Sequence, residues 1–581
     1  MNGANQKIFH RYSLLLGAIL IWGTAVLFII GGEMDNILKK EFAPMDETVH
    51  SVVSANITRK FFPPMVRINP LVEHRQRAWM EGPYWQHIPP LFMYVPWVFF
   101  KLDGKISIEM LRLSYAWVMF VTGTLFISTV YLFDSSLLSL IAGTLAVILW
   151  MATPFSRGLI YGREFNTSDI VLAFAIICSF TAICYYLRRD QKDRIRYSTV
   201  LMACLAVATT LPVLIKSVLG LIPWATFLIL ILRDHKRINR YFLVPCFVFL
   251  GMVGVYYGAL YFSSPQTFMY EIQVPFFHFK NYEGWGKPWD YFLIFYLPEK
   301  YLGIWTGIYF SSMIIGLYGL YLHRDVYKDR AKKILLLSIG WFAWNLLVIS
   351  IVRTKSPNFI YQSYLLSIFF SIYACILLMK HSNEGVTWGR QLQEYSRKNK
   401  FLIRFRPWAL GILLVIFIGS CGSFSNQFYK NRESPRRETS LHERFYYFAE
   451  KFHQKGQRGD VICILNTSRD PQEDCIFRYY MLFLTGAEAR ALKEIDVDRD
   501  VDKLKKKYSE ICFIFADGWK PPFNIGIPYT IEEIDQFVVL RLSSRDMGID
   551  LLRKIKAFDV TKGKGIMGGE CQWPGMSKGV E

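Results

Sequence analysis

Two adjacent carboxylates, Asp46 and Glu47, follow the first long apolar run of the chain by about a dozen residues. A carboxylate in such a position can act as a general base on an acceptor hydroxyl or amine. Acidic side chains are also common in the first turn of a helix, where they interact favourably with the helix dipole. The spacing alone leaves both interpretations open.

Two further charged residues lie at or inside apolar runs. Asp169 opens one such run, where it is either a second carboxylate of a site or an ordinary acid near a helix start. Lys216 lies within the apolar stretch 198–232. A lysine there is costly and usually marks a site, for which a phosphate is the natural partner, although it could also extend to the membrane surface.

Four more residues could bind a ligand. His87 and His278 could hold a divalent metal or hydrogen-bond a sugar, and the simpler alternative is that each is solvated. Arg353 and Lys355 follow an apolar run and suit an anionic lipid head group.

Apolar helices must position these residues, because 52% of the 581 residues are hydrophobic. Runs of about 18 to 23 apolar residues recur, and each could cross a hydrocarbon core of roughly 30 Å. The sequence therefore predicts a polytopic α-helical membrane protein with about 11 spans. The predicted spans are 13–31, 112–132, 136–153, 167–187, two short helices within 198–232, 241–263, 301–322, 334–352, 359–380 and 408–424.

The net charge of +20 indicates a membrane partner and no nucleic acid, because the basic residues cluster in short loops between the spans. This bias predicts an inside N-terminus and four outside loops: 32–90, 154–166, 264–300 and 353–358. The long first loop is the predicted catalytic loop. This loop should contain an amphipathic helix at 47–60. A helix that lies at the membrane surface should follow it at 91–102.

The chain divides into a membrane catalytic domain, 1–425, and a small soluble α/β domain outside the membrane, 426–581. Strands are predicted at 460–465, 511–516 and 536–542, and helices at 475–485 and 501–508. The second domain contains no nucleophile elbow, P-loop or metal motif, so we interpret it as a lid or support.

Six stretches resemble, in this order, motifs of the GT-C glycosyltransferases of the protein-mannosyltransferase and lipid A aminoarabinose transferase superfamily. They are Asp46-Glu47-Thr48, His87-Ile88-Pro89-Pro90-Leu91, Ser168-Asp169-Ile170-Val171-Leu172, Leu214-Ile215-Lys216-Ser217 with Pro223, Lys287-Pro288-Trp289 with Trp305, and Thr354-Lys355-Ser356-Pro357-Asn358-Phe359. This sequence departs from the family motifs at some positions. Val49 stands where the family often has an arginine. Phe359 stands where it has a tyrosine, and Tyr361 is two residues further on.

The resemblance implies a glycosyltransferase that takes a sugar from a polyprenyl-phosphate donor. The acceptor would be a lipid, glycan or protein on the periplasmic side of a bacterial inner membrane, and membrane lipid would surround the enzyme. Two other classes stay open, a flippase or transporter of polyprenyl-linked lipid and a polysaccharide polymerase or ligase.

The resemblance also implies roles for individual residues. Asp46 would be the general base, with Glu47 beside it, and Asp169 would orient the acceptor or share a metal. Lys216, Arg353 and Lys355 would hold the donor phosphate. His87, Tyr361 and His278 would line the sugar or acceptor site. No cofactor is certain, and a divalent metal on His87 and His278 is the one candidate.

Overall fold

Apolar helices account for most of the chain, as its composition predicts. The computed structural model describes residues 3–40, 42, 46–68, 84–86, 89–160, 168–188, 198–235, 240–273, 288–293, 306–322, 329–352, 357–384, 441–454, 461–466, 471–492, 495–515, 528–534 and 537–560. Within these residues the chain forms helices and one five-stranded sheet.

Sixteen helices precede residue 385 in the described part of the chain. They are α1 (Gly3–Gly32), α2 (Met34–Ile37), α3 (Asp46–Arg59), α4 (Tyr94–Asp103), α5 (Ile108–Asp134), α6 (Leu137–Ala152), α7 (Pro154–Ile160), α8 (Ser168–Arg188), α9 (Thr199–Thr210), α10 (Val213–Lys216), α11 (Leu221–His235), α12 (Arg240–Ser263), α13 (Pro265–Glu271), α14 (Thr306–Leu322), α15 (Asp329–Ile351) and α16 (Tyr361–Glu384). Three begin at a serine cap whose hydroxyl accepts a backbone N–H of the first turn: Ser107, Ser136 and Ser198.

Seven described segments are long and apolar enough to cross a membrane. They are Phe9–Gly32, Ile108–Asp134, Ser168–Arg188, Thr199–His235, Tyr241–Ser263, Arg330–Ile351 and Asn358–Leu377. The helices α6 and α14 are shorter, with 16 and 17 residues, and they coincide with two more predicted spans. The helical membrane class is therefore confirmed. The number of about 11 spans stays a prediction, since 408–424 lies outside the described residues.

The stretch 198–232 forms two short helices with a sharp break between them, as the sequence predicts. Ser217 in the break has a positive φ of 41°. A Cβ at Gly220 would stand 2.2 Å from the carbonyl carbon of Pro212, so only glycine fits where the chain turns back.

The second of these helices, α11, runs alongside α8 in the same direction. Lys216, just before α11, bonds Asp169 in the first turn of α8, and Tyr186 in its last turn donates to Asp234 at 2.9 Å. The break therefore lies at the end of the bundle where α8 begins.

The same end of the bundle carries the first loop. Arg157 of α7 donates to Glu33, which follows α1, at 3.1 Å. Arg112, one turn into α5, donates to the backbone carbonyls of three residues beyond α1: Asn36, Ile37 and Lys39. We call this the first-loop end, meaning the end where α1 finishes and α5 and α8 begin. The periplasmic orientation of this end stays a prediction.

Two predicted helices of the first-loop region are present. The helix predicted at 47–60 is α3, and the one predicted at 91–102 is α4, preceded by the 3-10 turn Pro90–Met93. Apolar side chains of α4 are exposed, with Leu102 at 79%, as expected for a helix at a membrane surface. The loop predicted at 154–166 begins with a helix, α7, which sequence reasoning missed.

The C-terminal part contains the sheet, with strand order β2-β1-β3-β5-β4. Its elements are α17 (Leu441–Gln454), β1 (Val461–Asn466), α18 (Pro471–Leu484), β2 (Glu488–Ala491), α19 (Val497–Lys507), β3 (Glu510–Phe515), β4 (Tyr529–Ile534), β5 (Phe537–Ser543) and α20 (Ile549–Val560). β1 pairs in parallel with β2 and β3, whereas β5 is antiparallel to β3 and β4. We call these elements the sheet unit.

Three strands of the sheet unit, β1, β3 and β5, coincide with the predicted strands. Two strands were not predicted: β2, which has four residues, and β4, most of whose residues are exposed. The predicted domain boundary at 425 falls among residues the structure does not describe, so the division into two domains stays a prediction.

Candidate active site

Asp169, Lys216 and Asn358 meet in a buried cluster at the first-loop end. Lys216 Nζ donates to Asp169 Oδ1 at 2.5 Å, and Asn358 Nδ2 donates to Asp169 Oδ2 at 2.7 Å. The side chain of Asp169 is fully buried and that of Lys216 is 10% exposed. Both carboxylate oxygens are therefore held by donors, one of them charged.

Three separate segments position this cluster. Asp169 lies in the first turn of α8, and Lys216 is the last residue of α10, directly before the break. Asn358 lies in the 3-10 turn Pro357–Ile360, which leads into α16. The charges of Asp169 and Lys216 stood out in apolar sequence. Asn358 gave no signal beyond its place in a motif.

Lys216 uses only part of its hydrogen-bonding capacity within the part of the chain that the structure describes. Its ammonium group carries three N–H donors. Among the residues the structure describes, Asp169 is its one hydrogen-bond acceptor, and the ring of Phe359 lies 5.3 Å from Nζ. A buried ion pair is a poor source of stability, because desolvation offsets much of the attraction. A buried lysine with unused donors is therefore better suited to holding an anionic ligand than to stabilising the fold.

Aromatic side chains line one side of the cluster. Tyr361, three residues after Asn358, stacks on Trp150 with ring centroids 5.5 Å apart and lies 5.6 Å from the ring of Phe155. Tyr361 and Trp150 are fully buried. The indole Nε1 of Trp150 has no acceptor in the described part of the chain. Sequence reasoning proposed Tyr361 for this region and missed Trp150.

Glu47 lies in a second buried ion pair. Its carboxylate accepts from Nε of Arg112 at 3.0 Å and from Nη2 at 3.2 Å, so the contact is bidentate. Both side chains are 2% exposed. This geometry fastens the start of α3 to α5. Sequence reasoning missed Arg112, whose charge lies at the start of a predicted span.

Asp46 begins α3, and the structure describes its backbone but not its side chain. Its assignment as general base therefore stays a prediction. The same holds for four residues that fall among those not described: His87, His278, Arg353 and Lys355. In the part of the chain that is described, no group of three or more His, Cys, Asp and Glu side chains is arranged to hold a metal ion. The proposed ligands His87 and His278 lie outside that search.

Another buried pair braces the first-loop end. Arg157 donates to Glu33 Oε1 at 3.1 Å, while Asn36 donates to Glu33 Oε2 at 2.7 Å. Arg157 is one residue from Ser156, whose hydroxyl donates to the carbonyl of Trp150 at 2.5 Å. Hydrogen bonds thus connect α7 both to the first loop, through Glu33, and to Trp150 beside the cluster.

No protein-family model matches the sequence, and no curated protein matches it. By structure the chain is similar to ArnT from Cupriavidus metallidurans bound to undecaprenyl phosphate. The TM-score is 0.53 and the identity 14%, over 90% of this chain and 98% of that one. The apo state of the same protein gives a TM-score of 0.49 at 15% identity, with the same coverage.

An oligosaccharyltransferase from Archaeoglobus fulgidus in complex with zinc and sulfate gives a TM-score of 0.46 at 11% identity. The match covers 85% of this chain and 67% of that one. By its likeness to ArnT, the chain has a similar fold over nearly its whole length, which confirms, at the level of the fold, the resemblance predicted from its motifs.

Proposed function

We propose that this protein is a membrane glycosyltransferase that moves a sugar from a polyprenyl-phosphate donor to a lipid, glycan or protein acceptor. The observation that carries the proposal is the buried Lys216, whose charge is balanced by Asp169 and whose remaining donors are unused among the described residues. A fold similar to that of ArnT, a protein solved with undecaprenyl phosphate, supports the same ligand chemistry.

On the donor side, Lys216 binds the phosphate and stabilises the negative charge that develops as polyprenyl phosphate leaves. Asp169 and Asn358 hold Lys216 in place, since Asp169 accepts from both. Arg353 and Lys355 precede Asn358 by a few residues and add positive charge to the phosphate site. Tyr361, His87 and His278 line the sugar or the acceptor.

On the acceptor side, Asp46 takes the proton of the attacking hydroxyl or amine. The acceptor atom bonds to the anomeric carbon as the bond from that carbon to the phosphate oxygen breaks. The electron pair leaves with polyprenyl phosphate, and attack from the opposite face inverts the anomeric centre. Glu47, through its pair with Arg112, positions the start of α3 for this step.

A divalent metal fits this scheme only through His87 and His278, with Asp169 as a third ligand. A metal would polarise the acceptor or the phosphate. In the described part of the chain, the oxygens of Asp169 already accept from Lys216 and Asn358. We place the active site on the periplasmic side of a bacterial inner membrane. The apolar helices support the membrane location, and the clustering of basic residues in the opposite loops supports the side.

The test is consumption of a labelled panel of polyprenyl-phosphate sugars by the purified protein in lipid, with membrane extract supplying acceptors. Wild type should consume one donor, and Asp46→Asn should reduce the rate about 10²–10⁴-fold, the usual contribution of a general base. Lys101→Met, which changes an exposed residue of α4, is a control that should retain activity.

Wild-type protein that consumes no donor with any acceptor, yet moves a polyprenyl-linked lipid between leaflets, would replace this proposal with the flippase. Full activity of Asp46→Asn would remove Asp46 from the base role and leave the enzyme class standing.

A further inference from the structure

The backbone that leads into Asp46 is held by the sheet unit. Tyr480 of α18 is fully buried, and its ring stacks on Phe42 with centroids 4.6 Å apart. Its hydroxyl donates to the carbonyl of Lys40 at 3.1 Å and accepts from the amide of Phe42 at 3.0 Å. One side chain thus fixes two backbone groups of a segment that ends four residues before Asp46.

The far end of α3 is held by the same helix. Arg59, the last residue of α3, donates to the three final carbonyls of α18, those of Leu482, Phe483 and Leu484, at 3.2, 2.9 and 2.9 Å. The last carbonyls of a helix lack partners within the helix, so this guanidinium caps α18 from another element. Burial lowers the pKa of Arg59 to about 10, which leaves the group charged at neutral pH.

The chain beyond α18 is shaped to admit this guanidinium. Gly486 has a φ of +74°, which side chains other than glycine rarely adopt. A Cβ at that position would also lie 2.8 Å from Nε of Arg59. Both constraints require glycine where Arg59 crosses the end of α18.

A buried ion pair completes the contact. Arg67, in the loop after α3, bonds Glu488 of β2 at 2.5 Å, and the two side chains are 4% and 1% exposed. Arg490 bonds the same carboxylate at 2.7 Å. Asn56 of α3 donates to the carbonyl of Val66 at 2.9 Å, so the loop that carries Arg67 is itself tied to α3.

We propose that Tyr480, Arg59 and the Arg67–Glu488 pair are positioning residues, through which the sheet unit holds the segment 40–59 and so places Asp46 at the active site. The inference rests on the proposed function, because it assumes that Asp46 is the base. It assigns the sheet unit a role in positioning the base, although none of its described side chains is proposed to touch the substrate. The pair of Glu47 with Arg112 ties the start of α3 to the bundle, and the sheet unit holds both flanks.

The variants are Tyr480→Phe and Arg59→Met. Tyr480→Phe keeps the stacked ring and removes only the hydroxyl, so the fold should persist. Their matched controls are Tyr447→Phe, at an exposed tyrosine of α17, and Arg541→Met. Arg541 pairs with Glu510 and Glu532 within the sheet and contacts no described residue of the first loop.

Three quantities are measured for each variant: kcat and KM for the donor, affinity for undecaprenyl phosphate, and hydrogen exchange of the amides of α3. A displacement of about 1 Å can cost about 10²-fold in rate, so kcat should fall about 10–100-fold in both variants. Affinity for undecaprenyl phosphate should stay within about threefold, because Lys216 is untouched. Amides in the first turns of α3 should exchange faster, and the controls should match wild type.

Exchange that is unchanged in both variants overturns the proposal, as does faster exchange with unchanged kcat. An equal loss of kcat in Arg541→Met would also overturn it, since general weakening of the sheet unit would then explain the effect. If wild type transfers no sugar, the proposed function fails, and the exchange data alone decide whether the sheet unit holds α3.

Discussion

Two of the buried ion pairs at the first-loop end, Arg112–Glu47 and Lys216–Asp169, differ in how many hydrogen-bond donors of the basic residue are used. Arg112 donates to both carboxylate oxygens of Glu47 and to three backbone carbonyls. Lys216 bonds Asp169 alone among the described residues. The first arrangement is typical of a group that fixes structure, whereas the second leaves a charge ready to bind. Donor use, more than burial or charge, separates the two.

Arg112→Met should have the largest effect, and the effect should be on stability. Removing one partner of a buried pair leaves Glu47 and the carbonyls unsatisfied, which typically costs about 3–5 kcal/mol. The measurement is thermal unfolding in detergent. Arg499→Met is the control, because Arg499 is 51% exposed in its pair with Asp500 and should cost less than about 1 kcal/mol. Equal shifts for the two variants would contradict the structural role of Arg112.

Lys216→Met should mainly affect activity. We expect a loss of about 10²–10³-fold in donor consumption, the usual result of removing one group that stabilises developing negative charge. Binding of undecaprenyl phosphate should weaken in parallel. Asn358 still donates to Asp169 once Lys216 is removed, so unfolding should shift less than in Arg112→Met. A larger loss of stability than in Arg112→Met would reverse the comparison.

Asn358→Leu should have a smaller effect on activity. The variant keeps the approximate volume and removes the donor to Asp169 Oδ2. Hydrogen bonds to charged groups contribute about 1.5–3 kcal/mol, so kcat should fall about 10–100-fold. The kinetic test is kcat beside KM for the donor. An unchanged kcat would show that Lys216 alone orients Asp169.

The smallest expected effect is a pH dependence of stability that arises from the Arg67–Glu488 ion pair between the first loop and the sheet unit. Burial opposes the charged form of Glu488, but Arg67 and Arg490 outweigh it and lower the pKa of the carboxyl below its ordinary 4.5. The contribution of the ionised Glu488 to the free energy of unfolding is therefore fully present above about pH 4.5. It is lost as the pH falls through the lower pKa that Glu488 has in the folded protein. Unfolding temperature should fall with acid in this range. In Glu488→Gln the unfolding temperature should depend less on pH than in wild type. The same pH dependence in the variant and in wild type would contradict this prediction.

Local patterns in the sequence predicted much of the helical part of the fold. Apolar runs gave the spans, and Pro212 with the embedded Lys216 gave the break between α9 and α11. Apolar, β-branched stretches gave β1, β3 and β5. The strand β4 was not predicted, because most of its side chains are exposed and its sequence pattern is polar. The helix α7 escaped because seven residues are too few for a clear periodicity.

The candidate site was predictable only in part. Asp169 and Lys216 were recognisable because a charge in an apolar run is costly and needs a reason. Arg112 and Trp150 resemble many residues at the ends of spans, and nothing local distinguishes them. Asn358 is one amide in a polar turn. The roles of these residues depend on partners that are distant in the chain.

The sequence by itself determined the membrane class, the positions of the long apolar helices and the charges that must be paired, because hydropathy and periodicity are properties of neighbouring residues. The tertiary structure alone decided which groups meet. Lys216 reaches Asp169 across 47 positions, and Tyr480 reaches Lys40 across 440. Such pairings form only when helices pack and bring distant segments into contact, and hydrogen-bond geometry then selects which partners are satisfied. In the part of the chain that the structure describes, that selection gives Arg112 five acceptor atoms and Lys216 one.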